Sequence, residues 1–357
     1  MQLDHCCADA MPPHEFCRRL FDSMSLLATA GWSEETAKHD VHTSLHGVLR
    51  WLDAAADESR ARQVLIQLLR DDLPARLINW LPELDFEAQK DVARLFGAIL
   101  KLASSSGSER DIVEYIRNHN RILEELLDGC GDPEVFLYFA QMLRSCTVYP
   151  KLVKLLLDKG ATSTLIDLAR HDNFDVSSEA FASLRELLLT HKVVSSAYIE
   201  DHFKAFFETY NVLLQDEDYV TQRKTLRLLA EMLLDPSFMR VMNAYIAKVQ
   251  YLQIHMNLLT DKSRCIRLEA FQLVKVFAAN PYKTRPVHHI LYKNKDRLQR
   301  VLMVLTDEDR MPESAASDIN AVIGLLQVLD PPPPERTLRT SSSAMQVHAL
   351  AVSPPVR

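Results

Sequence analysis

The chain has 357 residues, 47% of them hydrophobic, with only 8 glycines and a formal net charge of −7. That length holds two ordinary domains or one long array, and so few glycines argue against a sheet protein built on tight turns. No aliphatic run is long enough to span a bilayer and no apolar segment follows a basic start, so neither a membrane span nor a signal peptide is expected.

Residues 1–13, which end in Pro12-Pro13, read as a disordered N-terminal tail. Helix-period apolar patterns then run from Phe16 to Ala30, Leu45 to Ala56 and Val64 to Leu69, less regular than the later segments, as suits a capping unit. Ile78 to Leu84 leads to Asp85, where a recurring unit begins. Ser104 to Ser108 reads as a polar loop, and Gly129 to Asp132 as a turn that places Pro133 at the first position of the next helix. Gly160 closes a helix over 151–159, Asp175 to Leu189 is a third copy, and Tyr198 to Leu214 its packing helix. Asn243 to Leu259 joins a fourth copy to a fifth, which Asn280-Pro281 stops. His288 to Leu305 and Ser317 to Val328 close the array. From Pro331 a Pro/Ser-rich tail, 331–357, is expected to be disordered; within it Ser342, three residues after Arg339, is a candidate phosphorylation site.

The stretch from Asp218 to Asp235 sets the register. Leu226, Leu229 and Leu233 fall on one helical face behind Asp218, a residue type that caps helix N-termini. The same cap position recurs as Asp85, Asp132, Asn173, Asp218 and Ser263. Eight residues on come Ala93, Ala140, Phe181, Leu226 and Phe271; then Phe96, Leu143, Leu184, Leu229 and Val274; then Ile99, Cys146, Leu187, Met232 and Phe277. A helical period of about 40–47 residues marks armadillo and HEAT arrays. The expected fold is therefore all-α, one armadillo/HEAT-like helical-repeat solenoid over 14–330.

Charge is unevenly spread: residues 219–300 carry 15 Lys+Arg against 5 Asp+Glu. Such asymmetry marks an interaction surface. The six cysteines form no C-x-x-C pair, which points to a reducing, cytoplasmic setting without disulfides. No phosphate-binding glycine motif, nucleophile elbow or H-E-x-x-H occurs. His288 and His289 read as surface residues, and the acidic runs at 216–218 and 307–309 lack the glycine and terminal glutamate of a calcium loop. No enzyme, metal or cofactor is expected.

Several blocks resemble one family. They are the run from Leu84 to Ala93, Phe174 to Ala182, Tyr219 to Arg223, Asp261 to Arg264, Glu269 to Phe277 and Asn280 to Thr284. They resemble the calcium-binding protein 39 family, also called Mo-25 or HymA-like, over about 17–328. The resemblance implies a non-catalytic, cytoplasmic scaffold, monomeric in isolation, for signal transduction and cell polarity. It would bind and allosterically activate Ste20-type protein kinases or a STRAD-like pseudokinase. It also implies two surfaces. On a concave groove, Phe174, Tyr219, Arg223 and Arg227 match positions that touch the kinase-like partner. At a second pocket, Met256 and Lys293 match positions that take a C-terminal Trp-Glu-Phe-like peptide; Gln253 stands where animal members have lysine.

Register gives the groove a footing of its own, because Phe86, Pro133, Phe174, Tyr219 and Arg264 share the first column after the cap and would line one surface. Read from the residues alone, Phe86 and Phe174 could instead pack on the preceding helix, Arg223 and Arg227 form a solvated face, and Met256 fill a core gap. The rival functions for the same fold are nucleic-acid binding through the basic segment and cargo binding.

Overall fold

The computed structural model describes residues 13–30, 35–53, 58–105, 107–119, 121–307 and 313–332. Helices account for the fold, and among these residues there is no strand. Two helices open the chain, α1 (Pro13–Ala30) and α2 (Glu35–Asp53). Triplets come next: α3 (Glu58–Arg70), α4 (Leu73–Trp80), α5 (Phe86–Ser105); then α6 (Glu109–Asn118), α7 (Arg121–Gly129), α8 (Phe136–Cys146). After them stand α9 (Pro150–Asp158), α10 (Ala161–Leu168), α11 (Phe174–Leu189), and α12 (Lys192–Asp201), α13 (Phe203–Leu214), α14 (Tyr219–Leu233). The last are α15 (Met239–Ile246), α16 (Val249–Leu258), α17 (Arg264–Ala279), and α18 (Arg285–Lys293), α19 (Lys295–Asp307), α20 (Glu313–Gln327).

The third helix of each triplet packs on the third helix of the next. Contacts run from α2 to α5, α8, α11, α14, α17 and α20 in turn. This is the nearest-neighbour stacking of a solenoid, in which no unit buries its stripe alone. Every residue of the three apolar columns is buried, from Ala93, Phe96 and Ile99 to Phe271, Val274 and Phe277. Cys146 is one of them, and burial pushes its thiol up to about 12, as it does for Cys17 and Cys130. Those thiols stay protonated and act as small apolar groups. Cys265 is also free.

The caps follow the register with two exceptions. Asp85 accepts the Ala88 N–H at 3.0 Å, Asn173 the Asp175 N–H at 2.9 Å, and Asp218 the Thr221 N–H at 2.7 Å. Ser263 stands at the right place, but its side chain makes no cap bond; Asp261 instead accepts the Ser263 N–H at 2.6 Å. Pro133 is not the first residue of a helix. It lies in a turn, and α8 starts only at Phe136, once Val135 and Phe136 are buried.

Two expected long helices are each two: Tyr198 to Leu214 divides at His202 and His288 to Leu305 at Asn294. The connecting segment Asn243 to Leu259 spans the end of α15 and all of α16, with a break at Ala247-Lys248. His202 shows how a break arises without glycine or proline. Its ring stacks on Tyr198 at 4.4 Å, and its Nδ1 lies 3.0 Å from the Tyr198 carbonyl oxygen. Helices α6 and α7 occupy a stretch to which the period assigns no element. α5 continues through Ser105, into the expected loop, because the Ser105 hydroxyl returns to the Leu102 carbonyl at 3.1 Å. α1 begins at Pro13, the last residue of the expected tail. Residues 1–12, including Cys6 and Cys7, and 333–357, including Ser342, lie outside the described residues.

Candidate partner-binding groove

The third helices form one continuous face, and polar side chains tie each to the next. Between α2 and α5, His42 meets Asp85 at 3.2 Å and His46 meets Asp91 at 3.3 Å. Between α8 and α11, Arg144 pairs with Glu179 at 2.9 Å. Burial pushes the Glu179 carboxyl up, against the pull of Arg144. Arg185 pairs with Glu231 at 2.8 Å across α11 and α14, and Lys275 with Asp318 at 2.6 Å across α17 and α20. Except for Arg144 and Glu179, these partners stand about one repeat period apart, 46 residues for Arg185 and Glu231 and 43 for Lys275 and Asp318. Opposite charges at that spacing were a signal available in the sequence.

The aromatic column stands at one edge of this face. Phe86 is 67% exposed, Phe174 66% and Tyr219 42%, each as the first residue of its helix. Neither phenylalanine is absorbed by the preceding helix. Phe86 touches Tyr138 edge-on at 6.1 Å, and the Lys224 ammonium lies 5.8 Å from the Phe174 ring centre. Pro133 and Arg264 do not extend the column: the first is in a turn, and the second is only partly exposed.

Tyr219, Arg223 and Arg227 project from successive turns of α14. The N–H bond from Thr221 holds the Asp218 carboxyl below the usual range, which keeps a negative cap at the start of this basic helix. Arg223 is half-exposed and 4.0 Å from Glu269 on α17, the outer limit of an ion pair. Arg227 is exposed and lines a cavity of about 380 Å³ with Ser178, Phe181, Arg185, Lys224 and Glu231. The structure thus brings Phe174, Tyr219, Arg223 and Arg227 onto the neighbouring helices α11 and α14. Lys224, Arg185 and Ser178 belong to the same wall, although sequence reasoning did not single them out.

Met256 and Lys293 lie elsewhere. Met256 is on α16, half-buried against the core, and Lys293 is the exposed last residue of α18. These two helices pack together, and Gln253 is exposed three residues before Met256. His289 is exposed, while His288 Nε2 donates to the Asp330 carbonyl at 2.8 Å. Among the described residues, no three His, Cys, Asp or Glu side chains are grouped to hold a metal ion, and no helix is long and apolar enough to cross a membrane.

Stacked triplets with a polar-tied third-helix face define an armadillo/HEAT-like solenoid. The particular branch is given by comparison: the Mo25-like family model matches residues 7–330, and the chain belongs to that family. It is 35% identical to calcium-binding protein 39-like of Homo sapiens over 87% of this chain and 93% of that protein. It is 34% identical to the Mo25-like protein of Schizosaccharomyces pombe over 81% of this chain and 87% of that one. A degreening-related protein of Auxenochlorella protothecoides is 36% identical over 69% of this chain and 76% of its own length. Among solved structures, a computationally designed armadillo repeat protein for modular peptide recognition aligns with 71% of this chain and 99% of its own, at 14% identity and a TM-score of 0.43.

Proposed function

We propose that this chain is a non-catalytic scaffold whose third-helix face binds a Ste20-type protein kinase or STRAD-like pseudokinase and favours its active conformation. The observation that supports it is the adjacency of Phe174, Tyr219, Arg223 and Arg227 on α11 and α14 in a member of the Mo25-like family. Exposed aromatics beside arginines are the residue types that dominate interface energetics. The mechanism is differential binding: a partner that closes its two lobes gains contacts with a rigid face, so the closed state becomes more populated. The scaffold acts as a cytoplasmic monomer, and the α16–α18 surface around Met256 and Lys293 tethers a short aromatic–acidic C-terminal peptide.

The basic segment does not favour nucleic acid as the partner. Lys275 within it, and Arg185 on the adjoining helix α11, are each held by a carboxylate of the next third helix, so the run of free cations that a phosphate backbone requires is broken. The test is kinase activity of a purified Ste20-type kinase titrated with the chain. Saturable activation is expected; a flat titration, with no complex on gel filtration, rejects the reading.

A further inference from the structure

The junction of α11 and α14 differs from its neighbours in charge balance. Its cavity of about 380 Å³ is lined by Ser178, Phe181, Arg185, Lys224, Arg227 and Glu231, with Leu228 below. Arg185 and Glu231 are paired at 2.8 Å and offset one another. Lys224 Nζ donates to the Ser178 hydroxyl at 3.0 Å, a neutral acceptor. Asp218 senses Lys224 only at longer range, as the weakest influence on its carboxyl. Arg227 has no carboxylate partner among the described residues, and it is exposed. Two cations are therefore left without an ion-paired carboxylate in one cavity, one turn apart on α14.

The floor is apolar. Phe181 and Leu228 are buried beneath the cations, and Lys224 Nζ sits 5.9 Å from the Phe181 ring centre. A phosphorylated serine or threonine carries a charge of about −1.5 to −2 at pH 7 with three strong acceptor oxygens. That matches two cations and a hydroxyl. The guanidinium fork can hold two phosphate oxygens at once and leave the third oxygen and the second charge for Lys224 and the Ser178 hydroxyl, which a carboxylate with two oxygens and one charge cannot supply. The apolar floor receives the Cβ and, for threonine, the methyl group. The α8–α11 and α17–α20 junctions differ, because there Arg144 and Lys275 are already paired with Glu179 and Asp318. The two unpaired cations and the hydroxyl of this one cavity suit a single dianion.

We infer that this cavity binds a single phosphorylated serine or threonine side chain of the partner, so that the groove engages phosphorylated protein in preference to the unphosphorylated form. This rests on the scaffold reading for the identity of the partner, but not for the chemistry of the pocket. The probe is an immobilised random-sequence phosphoserine/phosphothreonine peptide pool, compared with the same pool after phosphatase and with a glutamate-substituted pool. The full chain should retain the phosphorylated pool at least about tenfold better, as a charge-assisted bidentate contact requires. Arg227→Ala should lose that preference, Arg227→Lys keep part of it, and Lys204→Ala, on the exposed side of α13, keep it all. Equal retention of the three pools, or full retention by a folded Arg227→Ala variant, overturns the proposal. If an intact kinase-like partner binds equally before and after phosphatase while Arg227→Ala weakens it, the scaffold reading stands and the phosphate pocket falls. If the peptides bind through Arg227 but no kinase-like partner binds, the reverse holds.

Discussion

The Tyr245 hydroxyl and His255 Nε2 are hydrogen-bonded at 2.8 Å, and both side chains are completely buried. They sit in an aromatic cluster with Phe207, Tyr251 and Phe277, whose ring centres lie within 6.0 Å of that of Tyr245. Among the described residues, His255 Nδ1 has no hydrogen-bond partner. Burial brings the His255 pKa down to about 3, because an imidazolium there would have to be desolvated.

This fixes the sign of a pH effect. The unfolded chain binds a proton on His255 below about pH 6.5, whereas the folded chain does not until about pH 3. Stability is therefore full above 6.5 and is lost as pH falls through that window. From pH 6.5 to 4.5 this one group should cost on the order of 2 kcal/mol. Replacing it by leucine should flatten the difference in urea midpoint between those pH values, since the carboxylates common to both proteins cancel. Identical pH slopes for the two proteins would reject a neutral, buried His255.

The ring of Phe139 occupies the space a side chain at Gly129 would need. A Cβ there would come within 2.6 Å of three ring atoms, closer than real contacts allow. Gly129 ends α7, and Phe139 is buried on α8, so the close approach joins the second and third helices of that unit. Gly129→Ala should destabilise by about 1–3 kcal/mol through overpacking. On a Phe139→Leu background the same substitution should cost less, a coupling that denaturant titration of the four proteins in a double-mutant cycle measures.

The caps offer a matched pair. Asp218 accepts a backbone N–H at the start of α14, while the Ser263 side chain at the equivalent place on α17 accepts none. Asp218→Ala should cost about 1 kcal/mol, as cap removal usually does. Ser263→Ala should be close to neutral by the same melting assay. Equal losses for both would mean that the cap bond is not what sets the stability of these helix starts.

The third helices from α5 to α17 carry one buried stripe in register, and α5, α11 and α14 start behind a side-chain cap, so on α14 Leu226, Leu229 and Leu233 announce the face and Asp218 the start. That is why the array and its register were legible in the sequence. The other helices are covered on more than one side, and their apolar pattern runs straight through tight breaks such as His202 and Asn294. The copy at Asp132 misled because a residue suited to capping can also head a turn, and only burial of Val135 and Phe136 decides where α8 begins. The exposed aromatic column was legible because it occupies one register position. The pocket was not, since Ser178 and Lys224 meet only when residues 46 apart are placed side by side.

Tyr219 and Arg223 are exposed by 42% and, for the Arg223 side chain, 44%, so neither holds α14 in place. The Arg223–Glu269 contact, at 4.0 Å and near the surface, adds little to stability. Tyr219→Ala with Arg223→Ala should therefore leave helicity and melting nearly unchanged. If both lie at the centre of the partner contact, each truncation should remove roughly 1–3 kcal/mol of binding, enough together to abolish activation at ordinary concentrations. The second surface needs a different probe from Met256, which is half-buried against the core and would cost stability on truncation. Lys293, exposed at the end of α18, is the cleaner choice. Adding Lys293→Ala should remove residual tethering, because two linked sites reinforce each other through effective concentration. Kinase activity against scaffold concentration, with circular dichroism on the same samples, reads both effects. A folded triple variant that activates fully would sink the groove assignment, whereas loss of helicity alongside loss of activation would show that these residues are structural.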